Sequence, residues 1–303
     1  MKNSQNQIVA SRGLTNESYE AVRRLCSICE THDQLKLKIN ESLLQIRPTD
    51  EINDFLCCRD GELIGYLGLF QFNEREIEVS GMVHPAFRRQ GCFTALLDAA
   101  KVEAASRGVS KLLLINAESS VAGKQFLSAI GAQYAFSEHW MRLTEPNIPP
   151  TRGPIRLRDA GPTDFDMLTR VFTEAFQMDE QSARHMLSQD EDGQNPKRRR
   201  YAIDRADEFI GTISINYTND HAAFFYGFAI LPEHQRQGYG RQALAEAIRI
   251  AQGAACTTIE LEVACENRNA LSLYQSFGFE ALRANDYYTL WIADEDRQPS
   301  DSD

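Results

Sequence analysis

The sequence has no run of about 18 consecutive apolar residues, the length that a membrane-spanning helix requires. Its first residues, MKNSQNQIVASRG, lack the apolar segment of a secretory leader. It also lacks an excess of positive charge, because the formal net charge is −11, which argues against a broad nucleic-acid-binding surface. We therefore expect a cytoplasmic protein with no nucleic-acid or membrane partner, present as a monomer or homodimer.

Cysteine is sparse: the 303 residues include seven, an odd number, scattered along the chain. This favours a reducing compartment over a disulfide framework. The spacing of Cys26, Cys29 and His32 suits zinc, with Cys57 and Cys58 as distant partners. Four residues of the same segment also repeat at helical spacing, namely Val22, Leu25, Cys26 and Cys29. We favour the buried helix face and expect no metal site.

The chain contains an internal repeat. Pro85 aligns with Pro232, and Gly131 in SAIGAQ aligns with Gly278 in QSFGFE, both at an offset of 147 residues. Upstream, DGELIGYLGLF resembles ADEFIGTISI. A constant offset over such an interval indicates tandem domains.

The repeat predicts domains at residues 1–147 and 153–295. Between them, EPNIPPTRGP has four prolines and a glycine, as a linker does. The polar, acidic tail at 296–303 is expected to be disordered. In the second half, periodicity and turn residues predict a strand, two helices, three strands, a glycine loop, and then helix, strand, helix and strand. This succession predicts an α+β (mixed α/β) fold.

The glycine loop, PEHQRQGYGRQAL, precedes a helical pattern and permits three interpretations. GYGRQA matches the dinucleotide fingerprint G-x-G-x-x-A, with Glu260 about 20 residues further on as the ribose-binding acid. That fingerprint follows the first strand of a domain, whereas three strands precede this loop. A plain turn would leave the residues Gln235 to Gln237 without a purpose.

We favour the third interpretation, a pyrophosphate cradle between a strand and a helix. Gly238 and Gly240 let the backbone approach the ligand closely. The N–H groups of the first helical turn and the helix dipole hold the anion. Arg236 and Arg241 can add positive charge.

The loop resembles the acyl-CoA motif Q/R-x-x-G-x-G/A of the GCN5-related N-acetyltransferases (GNAT), and ILPEHQRQGYG fits it. LEVACENRNALSLYQSFGFE resembles the family's second signature, L-x-V followed by N-x-x-A-x-x-L-Y-x-x-x-G-F. The resemblance covers residues 154–294 well and residues 8–143 more loosely. It implies two tandem GNAT-like domains, each a mixed, mostly antiparallel sheet flanked by helices.

The resemblance also implies acetyl-CoA as the co-substrate and no metal. Backbone groups of the strand before the loop are expected to pair with the amides of the cofactor. The implied cofactor-binding residues are Phe228, Ala229, Ile230, Gln235, Arg236, Gln237, Gly238, Tyr239, Gly240, Arg241 and Asn267. The basic run KRRRY, residues 197–201, either meets a CoA phosphate or is solvated.

Glu262 and Tyr274 are the implied catalytic pair. They stand twelve residues apart, as in the ribosomal-protein alanine acetyltransferases of the RimI type, where the Glu is assigned as the base and the Tyr as the acid. Alternation along TIELEV places Glu262 on the face opposite Ile259, Leu261 and Val263. The alternatives are a solvated strand residue and a tyrosine buried in the apolar stripe of its helix.

The first half resembles a degenerate copy. Its loop keeps Gly91 but has Phe93 in place of the second glycine, and we expect that ring to crowd the pyrophosphate. Leu127 replaces the tyrosine and Ser120 replaces Asn267. Because leucine carries no transferable proton, the first half either binds CoA weakly or only shapes the substrate cleft.

The sequence thus predicts an acetyl-CoA-dependent N-acetyltransferase whose C-terminal half is catalytic. The acceptor is a primary amine of a small molecule or peptide, attacking the thioester directly in a ternary complex. Cys256 and Cys265 have no evident His partner for a covalent acyl-enzyme. The alternatives are a non-catalytic acyl-CoA-binding or sensing protein and a protein N-terminal or lysine acetyltransferase.

Overall fold

A computed structural model describes residues 6–45, 49–150, 153–191, 197–219 and 221–292. These residues form two compact units. The first contains the described residues up to Phe136 and those from Asn285 onward, and the second runs from Ser137 to Ala284. The predicted tail at 296–303 lies outside the described residues.

The first unit is a mixed sheet with helices on its faces. Its strands are β1 (Gln7–Ser11), β2 (Asp54–Arg59), β3 (Glu62–Phe70), β4 (Glu76–Val83), β5 (Lys111–Ala117) and the end of a strand that begins in the second unit. Its helices are α1 (Asn16–Asp33), α2 (Glu41–Leu44), α3 (Cys92–Ser106) and α4 (Val121–Ala129). Thr15 caps α1, because its side chain accepts a hydrogen bond from the Ser18 N–H.

The second unit has the same kinds of elements. Its strands include β6 (Gln133–Leu143), most of which lies in this unit, β7 (Ile155–Asp159), β8 (Arg198–Arg205), β9 (Glu208–Asn219), β10 (Ala222–Ile230), β11 (Thr258–Ala264) and β12 (Phe279–Trp291), which ends in the first unit. Its helices are α5 (Phe165–Ala175), α6 (Glu180–Glu191), α7 (Tyr239–Gly253) and α8 (Arg268–Ser276). Asp164 does not cap α5, because its carboxylate binds Arg158 and the Gly161 N–H instead.

The two sheets share one topology. The strand order is β1-β2-β3-β4-β5-β12 in the first unit and β7-β8-β9-β10-β11-β6 in the second. Each sheet has a single parallel pair, β4 with β5 and β10 with β11, and its other neighbours run antiparallel. This confirms the predicted fold class, two repeats of a mixed, mostly antiparallel sheet flanked by helices.

The last strand of each sheet comes from the other half of the sequence. Residues 138–142 of β6 pair with β11, and residues 285–291 of β12 pair with β5. The compact units therefore differ from a simple cut between the repeats. The domain boundaries at 1–147 and 153–295 stay a prediction about the sequence repeat.

Apolar residues at the predicted spacing fill the cores. In the second unit α7 buries one stripe against the sheet, namely Ala243, Leu244, Ala247, Ile248 and Ala251. In the first unit α1 buries Val22, Leu25, Cys26 and Cys29, so the helix-face interpretation of these cysteines is confirmed. No helix in the described ranges is long and apolar enough to cross a membrane.

We expect Gly278→Ala to destabilise the protein more than the repeat-related Gly131→Ala. Both glycines have positive φ, 92° and 73°, which costs any L-residue about 1 kcal/mol or more. A Cβ on Gly278 would also lie 1.8 Å from the Glu145 carbonyl oxygen, whereas nothing lies within 4 Å of one on Gly131. Urea unfolding should give a loss about 2 kcal/mol larger for Gly278→Ala; equal losses would contradict the steric argument.

Candidate active site

The two parallel strands of the second sheet part from each other. β10 and β11 pair from Ala222 with Thr258 to Phe225 with Leu261. Beyond that pair β10 continues to Ile230 and β11 to Ala264, with no further pairing between them in the described residues. The backbone edge of β10 from 226 to 230 therefore faces an opening.

A β-bulge lies where the strands part. Along β10 and β9, Tyr226 pairs with Ser214 but Ala229 pairs with Thr212, so β10 contains one extra residue. Gly227 has φ 57°, in the left-handed region that favours glycine. The corresponding pairing of β3 with β4 is continuous.

A change in the spacing between the two repeats marks this bulge in the sequence. Gly65 and Gly211 are 146 residues apart, whereas Val83 and Ile230 are 147 apart. Within the sheets, Gly65 pairs with Val83 and Gly211 pairs with Ile230. The offset therefore rises by one because β10 contains one residue more than β4.

The glycine loop is held by its own side chains. Gln235 Nε2 donates to the Ile230 carbonyl over 2.8 Å, and Gln237 Nε2 donates to the Glu233 carbonyl over 3.0 Å. Arg236 and Gly238 have φ of 60° and 80°, and Gly238 is the N-cap of α7. The two glutamines therefore shape the loop, and the start of α7 offers backbone N–H groups for an anion.

Two further predicted cofactor contacts have partners of their own. Arg241 Nη1 donates to Ser276 Oγ over 2.7 Å, and its guanidinium lies 4.9 Å from the centre of the Phe277 ring. Asn267 caps α8, because its Oδ1 accepts from the Ala270 N–H over 3.1 Å. The cofactor roles of these residues, and those of the loop and of β10, stay predictions.

Glu262 and Tyr274 belong to opposite faces of the sheet. Along β11, Ile259, Leu261 and Val263 are buried with α7, and the half-buried Glu262 is on the other face, as predicted. Tyr274, on α8, packs in the same core cluster as Val263, with its ring 5.8 Å from that of Phe279. The opening beside β11 is thus the place where one ligand can contact residues on both faces of the sheet.

Burial raises the pKa of Tyr274 to about 12. The side chain is 7% exposed. Tyr274 therefore keeps its proton over the whole physiological pH range. Its catalytic role, like that of Glu262, stays a prediction.

Trp140, a site residue that sequence reasoning missed, faces Glu262. It pairs with Glu262 across β6 and β11, and its ring lies 5.0 Å from that of Phe224. Its Nε1 is buried and has no acceptor in the described part of the chain. Trp140 lies in the first half of the sequence, so the repeat gave no reason to associate it with Glu262.

The first unit has a cleft at the corresponding place. β4 and β5 pair only from Glu76 with Lys111 to Val79 with Leu114, and both strands continue beyond. A cleft of about 720 Å³ is lined by the parted strands, the loop at 88–94 and α4. Arg89 and Gly91 repeat the φ values of Arg236 and Gly238, at 62° and 76°.

Phe93 does not simply replace a glycine. In the first unit, strand β4 has Gly81 and helix α3 has Phe93, whose ring packs on Phe126 and comes within 2.9 Å of a Cβ built on Gly81. In the second unit, β10 has Phe228 and α7 has Gly240, and a Cβ built on Gly240 would lie 3.8 Å from the Phe228 ring. Ring and glycine have changed places between strand and helix; Phe93 lines the cleft together with Gly91, and its crowding of a pyrophosphate stays a prediction.

Arg88 in the first unit is committed to a structural ion pair. Its Nη1 and Nη2 donate to both carboxylate oxygens of Asp33 at 2.8 and 2.6 Å, and its Nε donates to the Val83 carbonyl. The Arg88 guanidinium lowers the pKa of Asp33. The bond from Arg88 to the Val83 carbonyl thus corresponds to the bond from Gln235 to the Ile230 carbonyl in the second unit.

No group of three or more metal-ligating side chains occurs within the described ranges. Burial raises the pKa of the Cys26, Cys29 and Cys256 thiols, which disfavours their reactive thiolate form.

Comparisons with curated proteins find one relative over most of the chain and another over about a quarter of it. A mycothiol acetyltransferase of Actinosynnema mirum is 26% identical over 291 residues, which are 91% of this chain and 97% of that protein. The ribosomal protein bS18-alanine N-acetyltransferase of Escherichia coli K12 is 37% identical over 75 residues, 24% of this chain and 51% of that enzyme.

Solved structures share the fold over nearly the whole chain. A GCN5-related N-acetyltransferase from Sphaerobacter thermophilus superposes with a TM-score of 0.73 at 19% identity, over 95% of this chain and 96% of that one. A tandem GNAT protein from the clavulanic acid biosynthesis pathway gives 0.71 at 17% identity, over 96% and 100%. The model of the Acetyltransferase (GNAT) family matches twice, at residues 19–128 and 165–279. With both repeats matched, the chain belongs to the GNAT family of acetyltransferases.

Proposed function

We propose that the second unit transfers the acetyl group of acetyl-CoA to a primary amine by direct attack in a ternary complex. Membership of the family makes the chain an N-acetyltransferase. The observation that carries the mechanism is the opening between β10 and β11, with Glu262 on one face of the sheet and Tyr274 on the other. An amine entering from one face and a thiolate leaving toward the other fit that arrangement.

The opening suits an extended amide ligand. Backbone groups of Phe228, Ala229 and Ile230 lie along the edge of β10 that β11 no longer covers, where a ligand can add as a strand would. The start of α7 and the left-handed Arg236 and Gly238 suit the pyrophosphate. Acetyl-CoA, when bound there, supplies an activated thioester.

Glu262 is the proposed base. An amine attacks only when neutral, so its proton has to be removed as the new bond forms. Glu262 is half-buried on the open face, opposite Trp140. The neighbouring Glu260 forms an ion pair, since Arg142 donates two hydrogen bonds to its Oε1 at 2.8 and 2.7 Å.

Tyr274 is the proposed donor to the leaving sulfur. A thiol in water has a pKa of about 8.5, so a phenol with a pKa of about 12 does not give its proton to an exposed thiolate. Burial disfavours both anions, so the thiolate leaving beside Tyr274 is a stronger base than in water. The hydroxyl therefore hydrogen-bonds to the sulfur while negative charge develops there.

A small molecule or a peptide N-terminus is the proposed acceptor. The mycothiol and ribosomal-protein relatives are named as acetyltransferases of these two kinds of acceptor. The mycothiol enzyme matches over 97% of its length, and the ribosomal-protein enzyme over 51%. The full-length match favours the small molecule, with a protein N-terminus or lysine as the alternative.

A second, non-catalytic acyl-CoA site in the first unit is supported by its cleft. The loop at Arg89 and Gly91 keeps its conformation, and Gly81 makes room for Phe93. At the offset of 147, Ile115 and Leu127 stand where the second unit has Glu262 and Tyr274. A ligand bound there would meet neither a base nor a proton donor.

We expect Gly238→Val to abolish acetyl-CoA binding in the second unit, because a β-branched residue opposes φ 80° and turns the loop amides away from the ligand. Gly238→Asn is the matched control, since Asn tolerates the left-handed region. Titration calorimetry on the full chain should find two sites in the wild type and in Gly238→Asn, and one in Gly238→Val. Unchanged binding by Gly238→Val would contradict the cradle, and a wild type with one site would contradict the first-unit site.

Tyr274→Phe should lower kcat by roughly 10²-fold without changing acetyl-CoA affinity, because it removes only the hydroxyl. With a pKa of about 12, Tyr274 itself should cause no fall in wild-type kcat below about pH 11. Tyr287→Phe, a buried tyrosine of the first unit, is the control and should keep its kcat. Near-normal turnover of Tyr274→Phe with a lower melting temperature would indicate a structural tyrosine.

Glu262→Gln should slow the reaction most at low pH, where few acceptor amines are neutral without help. The rate should recover in part as pH rises toward the pKa of the amine, about 8 for an α-amino group and about 10.4 for a lysine. Glu260→Gln, on the same face, should follow the wild-type profile. Profiles of kcat/KM against pH decide the matter, and a Glu262→Gln profile parallel to wild type would end the assignment as base.

A further inference from the structure

The face of the second sheet that carries Glu262 has a row of polar residues. Arg200 pairs with Ser214, and Ser214 pairs with Tyr226, so these three side chains share one face. Phe224 pairs with Glu260, which puts Glu262, two residues on, level with Tyr226. The row therefore leads from Arg200 on β8 to the base at the opening.

Arg200 is held beside the bulge. Its Nε donates to Ser214 Oγ over 3.3 Å, and its guanidinium lies 5.5 Å from the centre of the Phe172 ring on α5. Phe172 and Ser214 are also the nearest neighbours of a Cβ built on Gly227, each at 3.8 Å. The guanidinium thus stands next to the point where β10 leaves its regular path.

The arginines of the basic run KRRRY alternate between the two faces of the sheet. Arg198 and Arg200 face the α5 side of the sheet, opposite Asn216 and Ser214. Arg199 points the other way and binds the Asp159 carboxylate at 2.6 and 2.7 Å. Arg198 and Arg200 therefore lie side by side on this face, where guanidinium groups attract an anion.

We propose that the acceptor amine carries an oxyanion, a carboxylate or a phosphate, which Arg200 binds while the amine meets Glu262. This rests on the proposed function of the second unit. From β8 to β11, the strand of Glu262, the row crosses three strand spacings, about 14 Å, and the Arg200 side chain, which is bonded to Ser214 on β9, covers part of that distance. An amine and an anionic group several bonds apart can bridge the remainder.

The test compares acceptors in matched pairs. The anionic members are β-alanine, 4-aminobutyrate, phosphoethanolamine and the dipeptide amide Ala-Asp, and the neutral members are β-alaninamide, 4-aminobutyramide, ethanolamine and Ala-Asn amide. Wild type should favour the anionic member of at least one pair by about 10-fold in kcat/KM, as expected for a charge-assisted hydrogen bond. The pair that is preferred separates carboxylate from phosphate recognition.

Arg200→Gln should remove this preference through KM, leaving the neutral member and the KM for acetyl-CoA unchanged. Arg199→Gln is the matched control from the same strand and should behave as wild type. A wild type that prefers no anionic member would overturn the proposal. So would an Arg200→Gln variant of normal melting temperature that loses the same factor with both members of a pair.

Binding separates this proposal from the proposed function. The same pairs are titrated by calorimetry into the protein saturated with CoA, which needs no turnover. Tighter binding of an anionic member, lost in Arg200→Gln, supports the anion site even if no acceptor releases CoA from acetyl-CoA, a result that would count only against the proposed transfer. Equal binding of both members in every pair overturns the anion site.

Discussion

The hydrogen-bonding of β10 to β11 stops after four residue pairs, and the candidate site depends on that interruption. Backbone N–H and C=O groups require partners, so a strand edge opened in this way favours a ligand that brings its own amides. The bulge at Gly227 bends β10 at the point where the pairing ends, but β4 and β5 of the first unit part after four pairs without a bulge. The loop that follows is fixed to the same strand by Gln235.

The opening also explains why the proposed base and proton donor can act together without sharing a surface. β11 alternates, so Glu262 cannot lie on the core side with Val263 and Tyr274. An opening in the sheet joins the two sides. The acceptor side can then be polar, with Arg200 and Ser214, while the thiolate side stays apolar enough to raise the pKa of Tyr274.

The two repeats differ less in shape than in chemistry. Both have parted parallel strands, a left-handed arginine and glycine before a helix, and a polar cap on the next helix, Ser120 or Asn267. The first unit lacks the bulge, the acid and the tyrosine. Its Phe93 and Gly81 preserve the packing of ring against glycine that Phe228 and Gly240 make in the second unit.

The repeat, the fold class, the buried stripes and the strand face of Glu262 could be predicted from the sequence, because these follow from local periodicity and from motifs within one segment. Which residues meet across strands depends instead on how distant segments pair in the folded protein. Trp140 comes from the first half of the sequence and pairs with Glu262. Arg199 and Arg200 lie on opposite faces of the sheet, and Arg200 packs against Phe172. Pairing between distant segments leaves no periodic signal in a single sequence, so neither neighbour could be read from it.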